Sequence, residues 1–300
     1  MDTITEITHG PGLYPDMGIE AYHADTTAIS KTGLDLINKS PAHYFAEYLD
    51  PARPPKKNDE TPARLVGHLA HCAILEPDQF DRRYAVLPAD APRRPSSTQW
   101  NAKNPSADSL AAMAWWRDWQ AKNEGKTVVT HEQREAALRQ AESVRRIPDI
   151  REALERGRPE VSAYWTDPAT GVLCRCRPDW VHEAGSGVIL VDVKTYSSAD
   201  PFEFARQIPR MRYEVQAAYY TNGFALAADA DVLAFLFLVV ETEYPYAASA
   251  VMLDDDALAQ GCVTYHRNLE TYVQCLKTGQ WPGYPTAIQP VSLPRWAREY

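Results

Sequence analysis

The chain has 300 residues, 45% of them hydrophobic and 24% charged, with a formal net charge of −9. At about 100–200 residues per domain that is one large domain or two modest ones, of ordinary soluble composition and able to bury a core without a disulfide or structural metal. The acidic balance argues against general nucleic-acid coating, and an odd set of five cysteines with no CxxC pair (Cys72, Cys174, Cys176, Cys262, Cys275) argues against a disulfide framework or zinc ribbon and fits a reducing cytoplasm.

Residues 1–6 are acidic and lack the apolar stretch of a signal peptide. Ser30 is placed to cap a helix over 31–38, and Ser40-Pro41 starts another running to about Leu49. A Pro/Lys linker covers 50–60, and Thr61-Pro62 then opens a helix to Leu75 that stops before Pro77. Residues 87–106 read as loop, followed by helices at 107–122, 131–146 and 148–156. The character then changes: strands are predicted at 161–166, 172–179 and 188–194 with turns between them, a three-stranded meander. Helices at 201–209 and 213–228, strands at 232–240 and 247–253 and a helix over 255–277 complete the series. The apolar run 232–240 is too short to cross a bilayer, so no membrane contact is expected. The expected fold is α/β or α+β: a mixed sheet flanked by helices, within one domain over 1–300. Its parts are a mainly helical portion (1–157), a core (158–278) and a tail (279–300).

Asp179 closes one predicted strand and Asp192 lies near the end of the next, with twelve residues between them. Two carboxylates on one sheet edge suit a hard divalent cation, which polarises a phosphate and acidifies water. In Asp192-Val193-Lys194 the two-residue strand period sets the acid and the ammonium on one face and leaves the Val193 carbonyl free as a further ligand. Taken singly, each of these residues reads equally well as a strand-end cap or a solvated charge. Together, after the apolar run 188–191, they point to phosphodiester hydrolysis. Arg175, Arg177, Arg206, Arg210 and Arg212 bracket the pair, either as a basic track or as solvated surface.

Arg177-Pro-Asp-Trp180 followed by Val191-Asp-Val-Lys-Thr195 resembles the core of the PD-(D/E)xK nucleases. Gly67-His-Leu-Ala-His71, Glu160 ahead of the meander, Gln216-Ala-Ala-Tyr-Tyr220, Trp281-Pro-Gly-Tyr284, Leu293-Pro-Arg-Trp296 and Ser40-Pro-Ala-His-Tyr44 narrow the resemblance to the RecB-like branch and its RecE/exonuclease VIII group. The resemblance implies an Mg²⁺-dependent exonuclease, with Mn²⁺ able to substitute, acting on ends of double-stranded DNA as a ring-shaped homo-oligomer beside a single-strand annealing protein. By the same resemblance Asp179, Asp192 and the Val193 carbonyl hold metal, His71 is a nitrogen ligand to it or holds a metal-bound water, and Lys194 sits beside the nucleophile. Glu160 holds a second metal or its water, and Gln216 and Tyr220, on one helical face, orient Lys194 or touch phosphate. His68 reads instead as a packed core histidine. Trp115, Trp116 and Trp119 read as core packing or an oligomer contact, with base stacking as the other reading, and Arg93 and Arg94 as backbone contacts or solvated loop charges. Three alternatives stand beside this: an iron–sulfur RecB-like nuclease, an inactive DNA-binding or scaffold protein of the same fold, and an α/β protein without a nucleic-acid role.

Overall fold

Capping chemistry sets the N-terminal helices. The computed structural model describes residues 9–54 and 61–293, and begins with strand β1 (Gly12–Tyr14) and helix α1 (Ile19–Ala24). Helix α2 (Lys31–Lys39) starts where the Ser30 hydroxyl accepts from the Gly33 amide. Helix α3 (Pro41–Tyr48) has proline in its first turn, but the Ser40 hydroxyl makes no cap and pairs with His43 Nδ1 at 2.7 Å. Helix α4 (Pro62–Leu75) is capped by Thr61. The short α5 (Phe80–Arg83) leads into β2 (Tyr84–Val86). A reciprocal Ser96–Gln99 capping box then builds α6 (Ser97–Trp100) inside the stretch expected to be loop. Next come α7 (Ala107–Lys122), β3 (Thr127–Val129), α8 (His131–Arg145) and α9 (Pro148–Ala153), with β2 and β3 paired in parallel.

The strand-rich part holds β4 (Gly157–Pro159), β5 (Ser162–Thr166), β6 (Leu173–Cys176), β7 (Trp180–Ala184) and β8 (Gly187–Tyr196). Helices α10 (Pro201–Ala205), α11 (Ile208–Met211) and α12 (Tyr213–Ala228) follow, then β9 (Asp231–Glu241), β10 (Ala248–Met252) and α13 (Asp255–Thr278).

The expected meander is divided between two sheets. Strands β5 and β6 join β1, whereas β7 and β8 belong to a five-stranded sheet of order β10-β9-β8-β7-β4. The break falls at Pro178, which has no N–H to give a ladder. Asp179 therefore precedes β7 instead of closing the strand before it, and the hairpin that carries the site is β7–β8, turning at Gly185 with φ 60°. Strands β8 and β9 run parallel, with α10–α12 in the crossover, and the other pairs of this sheet are antiparallel, so the sheet is mixed as expected.

The two faces of β8 separate two cores. Leu190 joins Phe204, Tyr219, Phe237 and Leu269 against α12 and α13, while Val191 and Val193 join Leu69, Ile74, Val144 and Leu238 against α4 and α8. Two-residue alternation thus puts Asp192 and Lys194 on the α12 side and the Val193 side chain on the α4 side. The tail returns to the N-terminal helices: Trp281 stacks on Tyr44 at 5.6 Å, and the Ala42 amide donates to the Pro282 carbonyl. Residues 1–6, the second half of the 50–60 linker and 294–296 of the last tail motif lie outside the described residues.

Candidate metal-dependent active site

The antiparallel register pairs Trp180 with Val191, which brings Asp179 and Asp192 level at the end of the hairpin. Beyond the end of β7 only β9 still pairs with β8, and on the edge that β7 has left two side chains take over. The Val193 amide donates to Asp179 Oδ2 at 2.7 Å, and the Val193 carbonyl faces His71 Nε2 at 2.9 Å. A carbonyl only accepts, so Nε2 carries the proton, and the expected free carbonyl ligand is already engaged by His71. When the ring is neutral, Nδ1 is then a lone pair facing Asp179 Oδ2 at 3.5 Å. Two acceptors in that position call for a proton or a cation between them.

Glu160 completes the cluster. It takes a left-handed backbone with φ 56°, its amide donates to the Asp179 carbonyl, and its carboxylate is held by Arg177 Nε at 2.6 Å. His71, Glu160 and Asp179 each offer a ligand atom within 4.8 Å of the others, and they form the one such group among the described residues. No cysteine belongs to it, which leaves the iron–sulfur alternative without a ligand set there.

Asp192 lies beside this group. Its Oδ1 accepts from the Gln216 amide at 2.5 Å, and its Oδ2, 2.5 Å from Lys194 Nζ, takes no well-aligned hydrogen bond. Lys194 lies 4.7 Å from the centre of the Tyr213 ring, whose hydroxyl is 3.0 Å from that of Tyr196. Burial holds the Asp179 carboxyl up at about 7; His71 pulls it back, and Asp192 and Glu160 push it further. Burial pulls the Lys194 ammonium down, but Asp192 and Asp179 outweigh it and its net shift is upward. A buried excess of negative charge with an acceptor pair left open is what a bound divalent cation relieves, so the residues fit one.

Other expected residues are placed differently. Gln216 grips Asp192 and not Lys194. Tyr220 packs edge-on against Phe235 at 5.9 Å, and burial pushes its phenol well up, with the Asp192 and Asp179 carboxylates adding. His68, expected in the core, is exposed on α4. Arg175 is buried over the Tyr22 ring and Arg206 pairs with Glu203, so neither extends a basic track. The cations beside Lys194 are Arg212 and Lys31, for which the sequence carried no expected role in the site. Both contact Asp35 at 2.8 Å, and Arg212 Nη2 is buried without a partner. Burial lowers the Lys31 ammonium; Asp35 opposes that, and Lys194 and Arg212 add to it. Tyr213 is buried and backs the lysine. A basic residue just after the Ser30 cap was the available signal for Lys31; nothing local marks Tyr213.

A mixed sheet with a parallel β8–β9 pair, Asp179 before one hairpin strand and Asp192-x-Lys194 on the next defines the PD-(D/E)xK nuclease fold. The chain belongs to the family described as PDDEXK-like domain of unknown function (DUF3799), which it matches over residues 30–292. Among solved structures it is similar to a "Putative exonuclease" from Eubacterium rectale, with a TM-score of 0.58 and 13% identity, over 92% of this chain and 96% of that one. At that identity the likeness shows the fold. The protein SSO0001 (TM-score 0.25, 14% identity, 45% of this chain and 66% of that one) and VC1899 from Vibrio cholerae (0.21, 11%, 83% and 58%) carry no argument. No curated protein matches the chain. Among the described residues no helix is long and apolar enough to cross a membrane.

Proposed function

We propose that this protein is an Mg²⁺-dependent exonuclease that hydrolyses phosphodiester bonds at ends of linear double-stranded DNA. The observation that carries the reading is the convergence of His71, Glu160 and Asp179 beside the Asp192–Lys194 pair at the end of one hairpin. His71, Glu160 and Asp179 would hold the cation, with Asp192 and the second lone pair of the Val193 carbonyl at its edge. The cation, when bound, supplies charge for the phosphate oxygens and acidifies water; Mn²⁺, which tolerates an imidazole ligand better than Mg²⁺ does, serves in its place.

The chain's own groups do the rest. The Val193 amide fixes Asp179, and Gln216 fixes Asp192. Lys194, held between Asp192 and the Tyr213 ring, is placed to orient the attacking water and to balance charge that grows on the phosphate. Arg212 and Lys31 offer cations to the adjoining backbone phosphate. The cleavage direction (5′ to 3′, leaving 3′ tails for strand annealing), the ring-shaped oligomer and the annealing protein come with the resemblance to the RecE/exonuclease VIII group, as does action in the cytoplasm.

Linear and closed-circular duplex DNA, incubated with Mg²⁺ or EDTA, test the reading. Wild type should consume only the linear form, only with Mg²⁺, and Asp179→Ala should consume neither. Cutting of the circle would replace exonuclease with endonuclease; an inert wild type would refute the nuclease reading.

A further inference from the structure

A groove of about 440 Å³ lies apart from the catalytic residues, lined by Leu87, Pro92, Arg93, Arg94, Trp116 and Trp119 among others. It opens beside α7, which carries three of the chain's eight tryptophans within five positions. Trp116 is buried and anchored, its Nε1 donating to the Pro92 carbonyl at 2.9 Å. Trp115 and Trp119, one helical turn apart, are only half-buried and lie parallel, with 7° between their planes and 6.1 Å between centroids. Trp116 meets each of them edge-on, which locks their orientation.

A cation lies over the same surface. The Arg94 guanidinium sits 5.5 Å above the Trp116 ring. Arg93 and Arg94 are exposed, and among the described residues no carboxylate pairs with either. In a chain of net charge −9, residues 87–128 hold six basic side chains against four acidic ones, a local reversal of sign.

Open π-faces interleaved with unpaired arginines match one polymer. Bases in a duplex are stacked on each other and closed to an indole; a single strand offers free base faces, with phosphates spaced along a flexible backbone. We infer that this groove binds single-stranded nucleic acid, with a base stacked on Trp119 and phosphates on Arg93 and Arg94. The β2–β3 ribbon that floors it, through Leu87 and Val128, packs into the same core as α4, the helix carrying His71. The groove is thus fixed rigidly to the catalytic half. In a role resting on the nuclease reading, it holds a strand that the site has left uncut.

Anisotropy of a fluorescein-labelled oligothymidylate, titrated in EDTA so that nothing is cleaved, tests this directly. Wild type should bind with quenching of its tryptophan fluorescence. Trp119→Ala should weaken binding by about 5–100-fold, the worth of one stacked base, and Trp119→Phe by less. The double variant Arg93→Glu/Arg94→Glu, altered only on an exposed loop, should weaken binding, flatten its salt dependence and keep the wild-type melting temperature. Unchanged affinity in Trp119→Ala and in the arginine variant overturns the inference. So does loss from both of a labelled oligo-aspartate peptide ending in phenylalanine while the oligonucleotide still binds, which marks a peptide groove. Digestion of linear duplex by wild type in Mg²⁺ reports on the nuclease reading separately: its absence removes that reading and leaves oligonucleotide binding standing.

Discussion

Gln216 Nε2 donates to Asp192 Oδ1 at 2.5 Å, while Lys194 Nζ lies 2.5 Å from the other oxygen of the same carboxylate. A helix on one face of the sheet therefore sets the rotation of an acid on the strand. Groups that orient a metal-site carboxylate are worth about 10–100-fold in metal affinity or activity. Gln216→Ala should lower turnover within that range and raise the Mg²⁺ concentration needed for half-maximal rate, with the melting temperature little changed. Gln216→Glu, which sets a second negative charge on Asp192, should be worse than alanine at pH 8. Wild-type Mg²⁺ dependence in both variants would remove Gln216 from the site.

Lys194 is held by an anion and an aromatic face together, at 2.5 Å from Asp192 and 4.7 Å from the Tyr213 centroid. Lys194→Ala should abolish cleavage and leave binding of duplex DNA in Ca²⁺ largely intact, and Asp192→Ala should do the same. Lys194→Arg should not rescue, because a planar guanidinium spreads its charge and cannot act as the compact point charge held against Asp192 beside the attacking water. Turnover by Lys194→Ala at the wild-type rate would refute the role.

The candidate strand residues and most helices were legible because their signals are local. Ser30 and Thr61 cap where their side chains predict, and the Asp192-x-Lys194 period needs only a strand. What was missed is non-local or conformational. Strand β7 is five residues long and hidden behind Pro178, so its sheet could not be read from alternation. Glu160 was expected at the site, but not the left-handed backbone through which it reaches His71, which nothing in its residue type announces. Lys31 reaches the carbonyl of Met211, 180 positions away, and only the packed fold brings them together.

The Asp179 carboxyl makes stability depend on pH in an unusual direction. Its folded value, about 7, lies above the ordinary 3.8, so its ionisation opposes folding. That cost is full above pH 7 and fades as pH falls from 7 toward 4. In EDTA at pH 8, Asp179→Asn should therefore be more stable than wild type by on the order of 2 kcal/mol, an advantage that shrinks by pH 5. Saturating Mg²⁺ should reverse the order, since only wild type gains from binding it. Thermal melts at pH 5 and 8, with and without Mg²⁺, read all four values. A variant that melts below wild type in EDTA at pH 8 would contradict the buried-charge account.

Two helical glycines should respond to alanine with opposite signs. A Cβ at Gly261 of α13 would lie 2.1 Å from the Glu214 carbonyl oxygen of α12, backbone that cannot step aside. A Cβ at Gly67 of α4 would meet only Thr195 Oγ1, at an ordinary 3.8 Å. Gly261→Ala forces α13 away from α12 and should cost about 1–3 kcal/mol by overpacking. Because Glu214 lies two residues from Gln216, it should also lower turnover by loosening the grip on Asp192. Gly67→Ala removes backbone freedom from the unfolded chain and should raise stability by about 0.5–1 kcal/mol, with His71 one turn further on undisturbed. Urea melts and linear-duplex digestion on both variants decide the matter. Destabilisation by Gly67→Ala would mean that α4 sits closer to β8 than 3.8 Å allows. Full activity in a destabilised Gly261→Ala would show that the α12–α13 contact supports the fold without setting the geometry of Asp192.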